Sequence, residues 1–276
     1  MKKRILCVVL CLCMILTLCA CAKKPANAVI RLSTTTSVND SGLLPYLQPY
    51  FEKATGYTLE ITSAGTGAAI KKGETGDADC LLVHAKASEE EFISAGYGVE
   101  RVSFMYNYFI IVGPADDPAK VAQCVTATEA FEAIGAAGCA FVSRGDDSGT
   151  HKAEQNIWNA VGFMPDPASE NWYISAGAGM GACITMAAEQ QAYVLTDKAT
   201  FLSHAQRGSL KLLLEKSDEM MNTYSMIAVS TNKWPDANIQ GANAFIEWMT
   251  GDEAKALIAQ YGVAEYGEAL FYLLEG

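Results

Sequence analysis

Four times this chain runs an apolar, strand-like stretch into a short loop of Gly, Ser and Thr and then into a helix-like stretch. The loops are residues 34–37, 63–67, 143–150 and 175–181. Strands alternating with helices in this way give an α/β domain with parallel strands and crossover helices. In open α/β sheets, ligands collect at the carboxyl ends of strands, beside helix N-termini. The third loop is the richest. Cys139-Ala140-Phe141-Val142 leads into Ser143-Arg144-Gly145-Asp146-Asp147-Ser148-Gly149-Thr150-His151, and residues 152–161 follow with helical spacing. Such a turn presents unpaired backbone N–H groups and the positive end of a helix dipole. Ser148 and Thr150 add hydroxyl donors, and Arg144 adds a planar, fork-shaped cation. These parts suit an oxyanion. Taken singly, they equally suit a capped helix with a surface arginine.

The first 20 residues read as a targeting segment. Met1-Lys2-Lys3-Arg4 is a basic start, and residues 5–20 are an apolar run too short for a typical membrane span. The run ends in Leu18-Cys19-Ala20-Cys21, similar to a bacterial lipoprotein processing site, with Cys21 as the residue to be lipidated. Residues 1–20 are therefore expected to be a lipoprotein signal peptide and 21–28 a tether. The leader carries three of the 20 basic residues and none of the 31 acidic ones, so its removal takes the formal charge from −11 to −14. A chain this acidic is a poor partner for nucleic acid or an anionic membrane surface. An anion would have to be held by local dipoles, against a far field that salt screens within about 8–10 Å.

Of nine cysteines, Cys80, Cys124, Cys139 and Cys183 lie beyond the leader and Cys21, far apart and without metal-ligand spacing. They are expected to be free thiols, and no metal site is expected. Cys80-Leu81-Leu82-Val83-His84 is a continuous apolar run, as in a central parallel strand. His84 is expected to be a satisfied strand-end histidine. Gly113-Pro114 and Asp117-Pro118 mark a turn where a hinge is expected. Neither a Gly-x-Ser-x-Gly elbow nor a Gly-x-x-x-x-Gly-Lys-Ser/Thr loop occurs, so no catalytic residue is expected. Gly177-x-Gly179-x-Gly181 lacks the rest of a dinucleotide loop.

Thr34-Thr35-Thr36-Ser37, Gly65-Thr66-Gly67, the segment 76–85, Met105-Tyr106-Asn107 and the Ser143-to-Lys152 motif together resemble the tungstate-binding family of ABC-importer solute-binding proteins. The likeness runs in order from about Val29 to the C-terminus. It implies a two-lobed periplasmic-binding-protein fold of type II, each lobe a mostly parallel sheet flanked by helices, joined by two hinge strands. The lobes are expected at residues 29–111 with 222–276, and at 112–221. The implied oxyanion ligands are Thr35, Thr36, Gly65, Thr66, Arg144, Ser148, Gly149 and Thr150, with Ser37 and Asp146 in support. The implied ligand is tungstate, with no cofactor. The implied partners are an ABC permease and its ATPase, with a monomer held at the outer face of the cell membrane by lipidated Cys21. Two departures stand out: Tyr108 where the family usually has an acidic residue, and Ala153 where it often has a second basic one.

Phosphate and molybdate are rival ligands of the same fold, and hydrolysis at an oxyanion site is a more distant one. Phosphate carries a proton that a buried carboxylate can accept, whereas tungstate carries none and such a carboxylate would repel it. The discriminating question is whether Asp77, Asp79 or Asp146 offers a free lone pair to the cleft.

Overall fold

The computed structural model describes Pro25, residues 27–205 and residues 207–274; the leader and Cys21 lie outside them. In chain order the elements are β1 (Val29–Thr35), α1 (Thr36–Asp40), α2 (Leu43–Thr55), β2 (Thr58–Ala64), α3 (Thr66–Thr75), β3 (Cys80–Val83), α4 (Lys86–Ser94) and β4 (Val102–Gly113). Then come α5 (Ala127–Ala137), β5 (Phe141–Ser143), α6 (Gly149–Val161), β6 (Tyr173–Ser175), α7 (Met180–Gln190), β7 (Tyr193–Asp197), α8 (Lys198–Ser203) and β8 (Lys211–Glu215). The chain ends with β9 (Met221–Ala228), α9 (Ile239–Met249), α10 (Asp252–Gln260), α11 (Val263–Tyr266) and β10 (Tyr272–Leu273). Among the described residues no helix is long and apolar enough to cross a membrane.

The strand β4 joins two sheets. Its first part, Val102 to Tyr108, pairs with β9, and its second, Phe109 to Gly113, pairs with β7 and β8. The partner change falls between Tyr108 and Phe109. The apolar run Phe109 to Val112 is uninterrupted, so hydrophobicity alone carries no mark of the switch. The chain passes back from the second sheet to the first between β8 and β9. On one side the order is β2-β1-β3-β9-β4; on the other it is β4-β7-β5-β6. The strands that feed the glycine- and hydroxyl-rich loops are parallel, as expected: β1 with β2 and β3, and β5 with β6 and β7. Those around the crossings, β3–β9, β9–β4 and β4–β7, run antiparallel, so each sheet is mixed.

Helices cover both faces of each sheet. In the first lobe Ile30, Leu32, Leu82 and Met226 meet Phe51 and Phe245 of α2 and α9, while Leu81, Val83 and Ile227 meet Ile70 and Phe92 of α3 and α4. Every residue of β3 is buried, which is why its sequence does not alternate. In the second lobe Phe141, Trp158, Phe131 and Tyr193 form one cluster, and Val142, Cys183, Ile184 and Val194 the other. The four cysteines beyond Cys21 are free, Cys80 and Cys183 buried.

One ion pair ties β1 to its neighbours. Arg31 sends Nε and Nη2 to Asp79 at 3.1 and 2.6 Å, and Asp79 also accepts the N–H groups of Arg31 and Asn238. Burial disfavours the Asp79 carboxylate, but these donors outweigh it and hold its pKa below the usual range. Asp79→Ala is expected to lower unfolding stability by about 2–3 kcal/mol, read by urea denaturation, because charge-assisted bonds are lost and the Asn238 N–H is left unpaired.

Candidate functional site

The start of α6 is shaped by one carboxylate. Asp146 accepts Arg144 Nη2 on one oxygen and the Ser148 N–H, at 3.2 Å, on the other. Gly145 and Asp147 both take left-handed backbone, at φ 61° and 56°, and turn the chain sharply into the helix. Asp147 donates its N–H to His151 Nδ1, so His151 packs back on the loop. Ser148 is the N-cap, and its Oγ accepts the His151 N–H at 3.2 Å. The first helical residues, Gly149 and Thr150, keep N–H groups that no turn of helix can satisfy. The helix thus starts at Gly149, earlier than the spacing of apolar residues from Lys152 indicates. The fourth loop braces the third: Ala176 and Ala178 donate N–H groups to the Ser143 and Arg144 carbonyls at 2.9 and 3.3 Å.

The facing wall belongs to the other lobe. Here the expected loops are shorter than the sequence indicates. β1 continues to Thr35, which is the N-cap of α1, and Gly65 is the N-cap of α3, whose first residue is Thr66. Thr34 is drawn into the sheet by its Oγ1 bond to the Leu82 carbonyl, at 2.8 Å. The two walls touch. A Cβ on Gly65 would lie 3.6 Å from the Asp146 carbonyl oxygen, and one on Gly67 would lie 2.8 Å from Asp147 Oδ2. Thr35, Ser37, Thr66, Arg144, Ser148 and Thr150 are all buried, while Thr36 and Asp146 are partly exposed. Two of these buried side chains hold donors with no partner, Thr66 Oγ1 and Arg144 Nε. An unpaired buried donor costs about 1–3 kcal/mol. Two of them on facing walls, one at the start of α3 and the other a cation in the loop that leads into α6, describe a place that an acceptor-rich anion would complete.

Behind the first wall lies an arrangement that sequence reading missed. Ser37 Oγ is 3.1 Å from His84 Nε2, and His84 Nδ1 is 2.8 Å from Asn222 Oδ1. Asn222 Nδ2 donates to Asn107 Oδ1 and Tyr224 Oη, which leaves Oδ1 facing the imidazole. His84 therefore carries its proton on Nδ1, and Nε2 accepts from Ser37. Burial pushes the His84 pKa down to about 4; the bond to Asn222 opposes this and the Arg144 charge adds to it. No motif announces this group, because its members are 47 and 138 residues apart. As expected, both nitrogens of His84 are satisfied.

The PBP superfamily domain matches residues 22–253. Tungstate-binding protein TupA of Peptoclostridium acidaminophilum is 44% identical over 95% of this chain and 94% of its own. The chain belongs to the tungstate-binding family. Two solved structures agree with that placement. The tungstate ABC transporter structure from Geobacter sulfurreducens is 42% identical, with a TM-score of 0.78, over 86% of this chain and 100% of its own. Tungstate-binding protein TupA from Desulfovibrio alaskensis G20 is 40% identical, with a TM-score of 0.76, over 90% and 99%.

In this family member each of the three carboxylates in question is engaged by at least one donor. Asp79 is engaged by Arg31 and Asn238, Asp77 accepts the Thr75 hydroxyl at 2.7 Å on an exposed turn, and Asp146 is divided between Arg144 and Ser148. Of three buried carboxyls that the sequence did not single out, Glu89 is paired with Arg101, and Asp197 and Glu154 remain. Asp197 caps α8 through Oδ1, while its Oδ2 has no partner. Burial pushes its pKa up, against the Thr200 bonds and the Arg144 charge. Glu154 lies beneath the α6 loop, accepting Tyr173 Oη at 2.6 Å. Burial pushes its pKa up to about 7, against Tyr173, Ser143, Trp158 and the Arg144 backbone. Among the described residues no group of three or more His, Cys, Asp or Glu side chains is placed to hold a metal ion.

Glu154 generates a pH prediction. Its folded pKa is raised above the unfolded value, so its contribution to stability is full below about pH 4.5 and is lost as pH rises through about 7. Subtracting the stability-versus-pH curve of Glu154→Gln from that of the wild type should leave a difference that falls across this window, measured by urea denaturation between pH 5 and 8.

Proposed function

We propose that this protein is an extracytoplasmic solute-binding lipoprotein that captures tungstate between its lobes and delivers it to an ABC importer. The observation that carries the reading is the pair of unpartnered buried donors, Thr66 Oγ1 at the start of α3 and Arg144 Nε in the loop that leads into α6. A dehydrated dianion has to be met by many fixed donors at once. In this reading Thr35, Thr36, Gly65, Thr66, Arg144, Ser148, Gly149 and Thr150 bind it, and Ser37 and Asp146 hold the binding groups in place. Asp146 orients Arg144 rather than accepting a proton from the ligand. Its commitment, with that of Asp77 and Asp79, favours an unprotonated oxyanion over hydrogenphosphate. Tungstate is chosen over other such anions because the relatives above bind it, and molybdate, of similar size and charge, is the nearest competitor.

In the same reading residues 29–111 with 222–276 form one lobe and 112–221 the other, and ligand entry requires them to part. The protein acts as a monomer, tethered outside the cell membrane through Cys21. A permease and its ATPase are its partners. It carries no cofactor, catalyses no reaction and does not bind nucleic acid.

Ser37, His84 and Asn222 stand in the order nucleophile, base, orienter, which is the one observation favouring a hydrolase. Two facts count against it. A base near pKa 4 is almost wholly without driving force for proton abstraction at neutral pH, and Ser37 is 2% exposed. A fluorophosphonate probe is therefore expected to leave Ser37 unlabelled.

Isothermal titration with tungstate, molybdate, sulfate and phosphate tests the reading. Tight tungstate binding and weak phosphate binding are expected. Arg144→Ala should weaken tungstate binding by about 100-fold while the protein still folds, because a charge-assisted bond of about 2–3 kcal/mol is removed. Phosphate binding without tungstate binding, or an unchanged Arg144→Ala titration, would contradict it.

A further inference from the structure

His84 touches three parts of the molecule that ligand capture has to coordinate. Its Nε2 accepts from Ser37, which lies 3.1 Å from Thr35 Oγ1 on the first-lobe wall. Its Nδ1 donates to Asn222 on β9, and Asn222 in turn reaches Asn107 on β4 at 2.8 Å. These are the two strands next to the crossings between lobes. The flat of the ring meets the second lobe. At Gly149, the first residue of α6, a Cβ would overlap imidazole Cε1 and stand 2.7 Å from Nδ1 and 2.8 Å from Nε2. Tyr224 also packs on the ring, with centroids 4.9 Å apart. Gly149 is not glycine for its backbone angles, because its φ is not positive. Nor does the helix need it, since alanine is the better helix former there. What requires glycine is the closeness of the histidine.

We propose that His84 is a positioning residue for ligand capture: its ring is the seat on which the N-terminus of α6 closes, and its two nitrogens fix that seat to the first-lobe wall and to the strands beside the crossings. The inference rests on the binding function proposed above. With the seat at this height, the N–H groups of Gly149 and Thr150 come level with Thr66 and Arg144. The Ser–His–Asn order, too weak in base strength for catalysis, serves here as a brace. Lys152, one turn further along α6, adds a second tie between lobes through Ser88 Oγ at 3.1 Å.

A double-mutant cycle tests it. Gly149→Ala should weaken tungstate binding by about 10- to 100-fold, the usual cost of overpacking a tight contact. In a His84→Ala background the same substitution should cost less than about twofold, because the obstructing ring is gone. Thermal melting of the ligand-free variants checks folding, and Gly149→Ala should melt no lower than wild type. A glycine that tolerates alanine in the wild type, or an equal loss in both backgrounds, overturns the proposal. Failure of the wild-type protein to bind tungstate would instead overturn the proposed function. In that event small-angle scattering still decides on the seat. A larger radius of gyration for Gly149→Ala, restored in the double variant, supports it, and identical radii overturn it.

Discussion

The carboxylate of Asp146 organises the second-lobe wall. One oxygen takes Arg144 and the other takes the Ser148 N–H, so a single group sets both the cation and the helix start. Two left-handed residues, Gly145 and Asp147, make the turn sharp enough for this, and the 175–178 backbone braces it from behind. Beneath lies Glu154, a buried carboxyl among the side chains and backbone under the loop. The wall therefore needs little rearrangement to receive an anion, and that is how fixed dipoles become effective in place of water.

The alternation of strands and helices was plain in the sequence, as was the placement of loops at strand ends. Cys80 to Val83 read correctly as a central strand because burial on both faces removes polar alternation. The helix starts were less legible. Gly65 and Ser148 act as caps, whereas periodicity begins only where side chains start to pack, at Lys152 in α6, and the short α1 that Thr35 caps has no apolar periodicity to mark it.

The wall around the proposed anion was partly legible as motifs, since Thr35, Thr66, Arg144 and Ser148 lie in short local patterns. The brace behind it was not. Ser37, His84 and Asn222 meet through the tertiary fold, as do Glu154 and Tyr173, and no spacing rule connects them. A buried histidine with both nitrogens engaged looks from sequence like an ordinary core residue. Its meaning comes from what rests on it, the glycine that opens α6.

The central claim is that an unprotonated oxyanion is held between the starts of α3 and α6. Tungsten scatters X-rays anomalously, so a crystal of the tungstate-loaded protein locates it without reference to any side-chain interpretation. The account predicts one strong anomalous peak within hydrogen-bonding reach of both Thr66 and Arg144 through its oxygens. A peak elsewhere, or one touching only a single lobe, would contradict it.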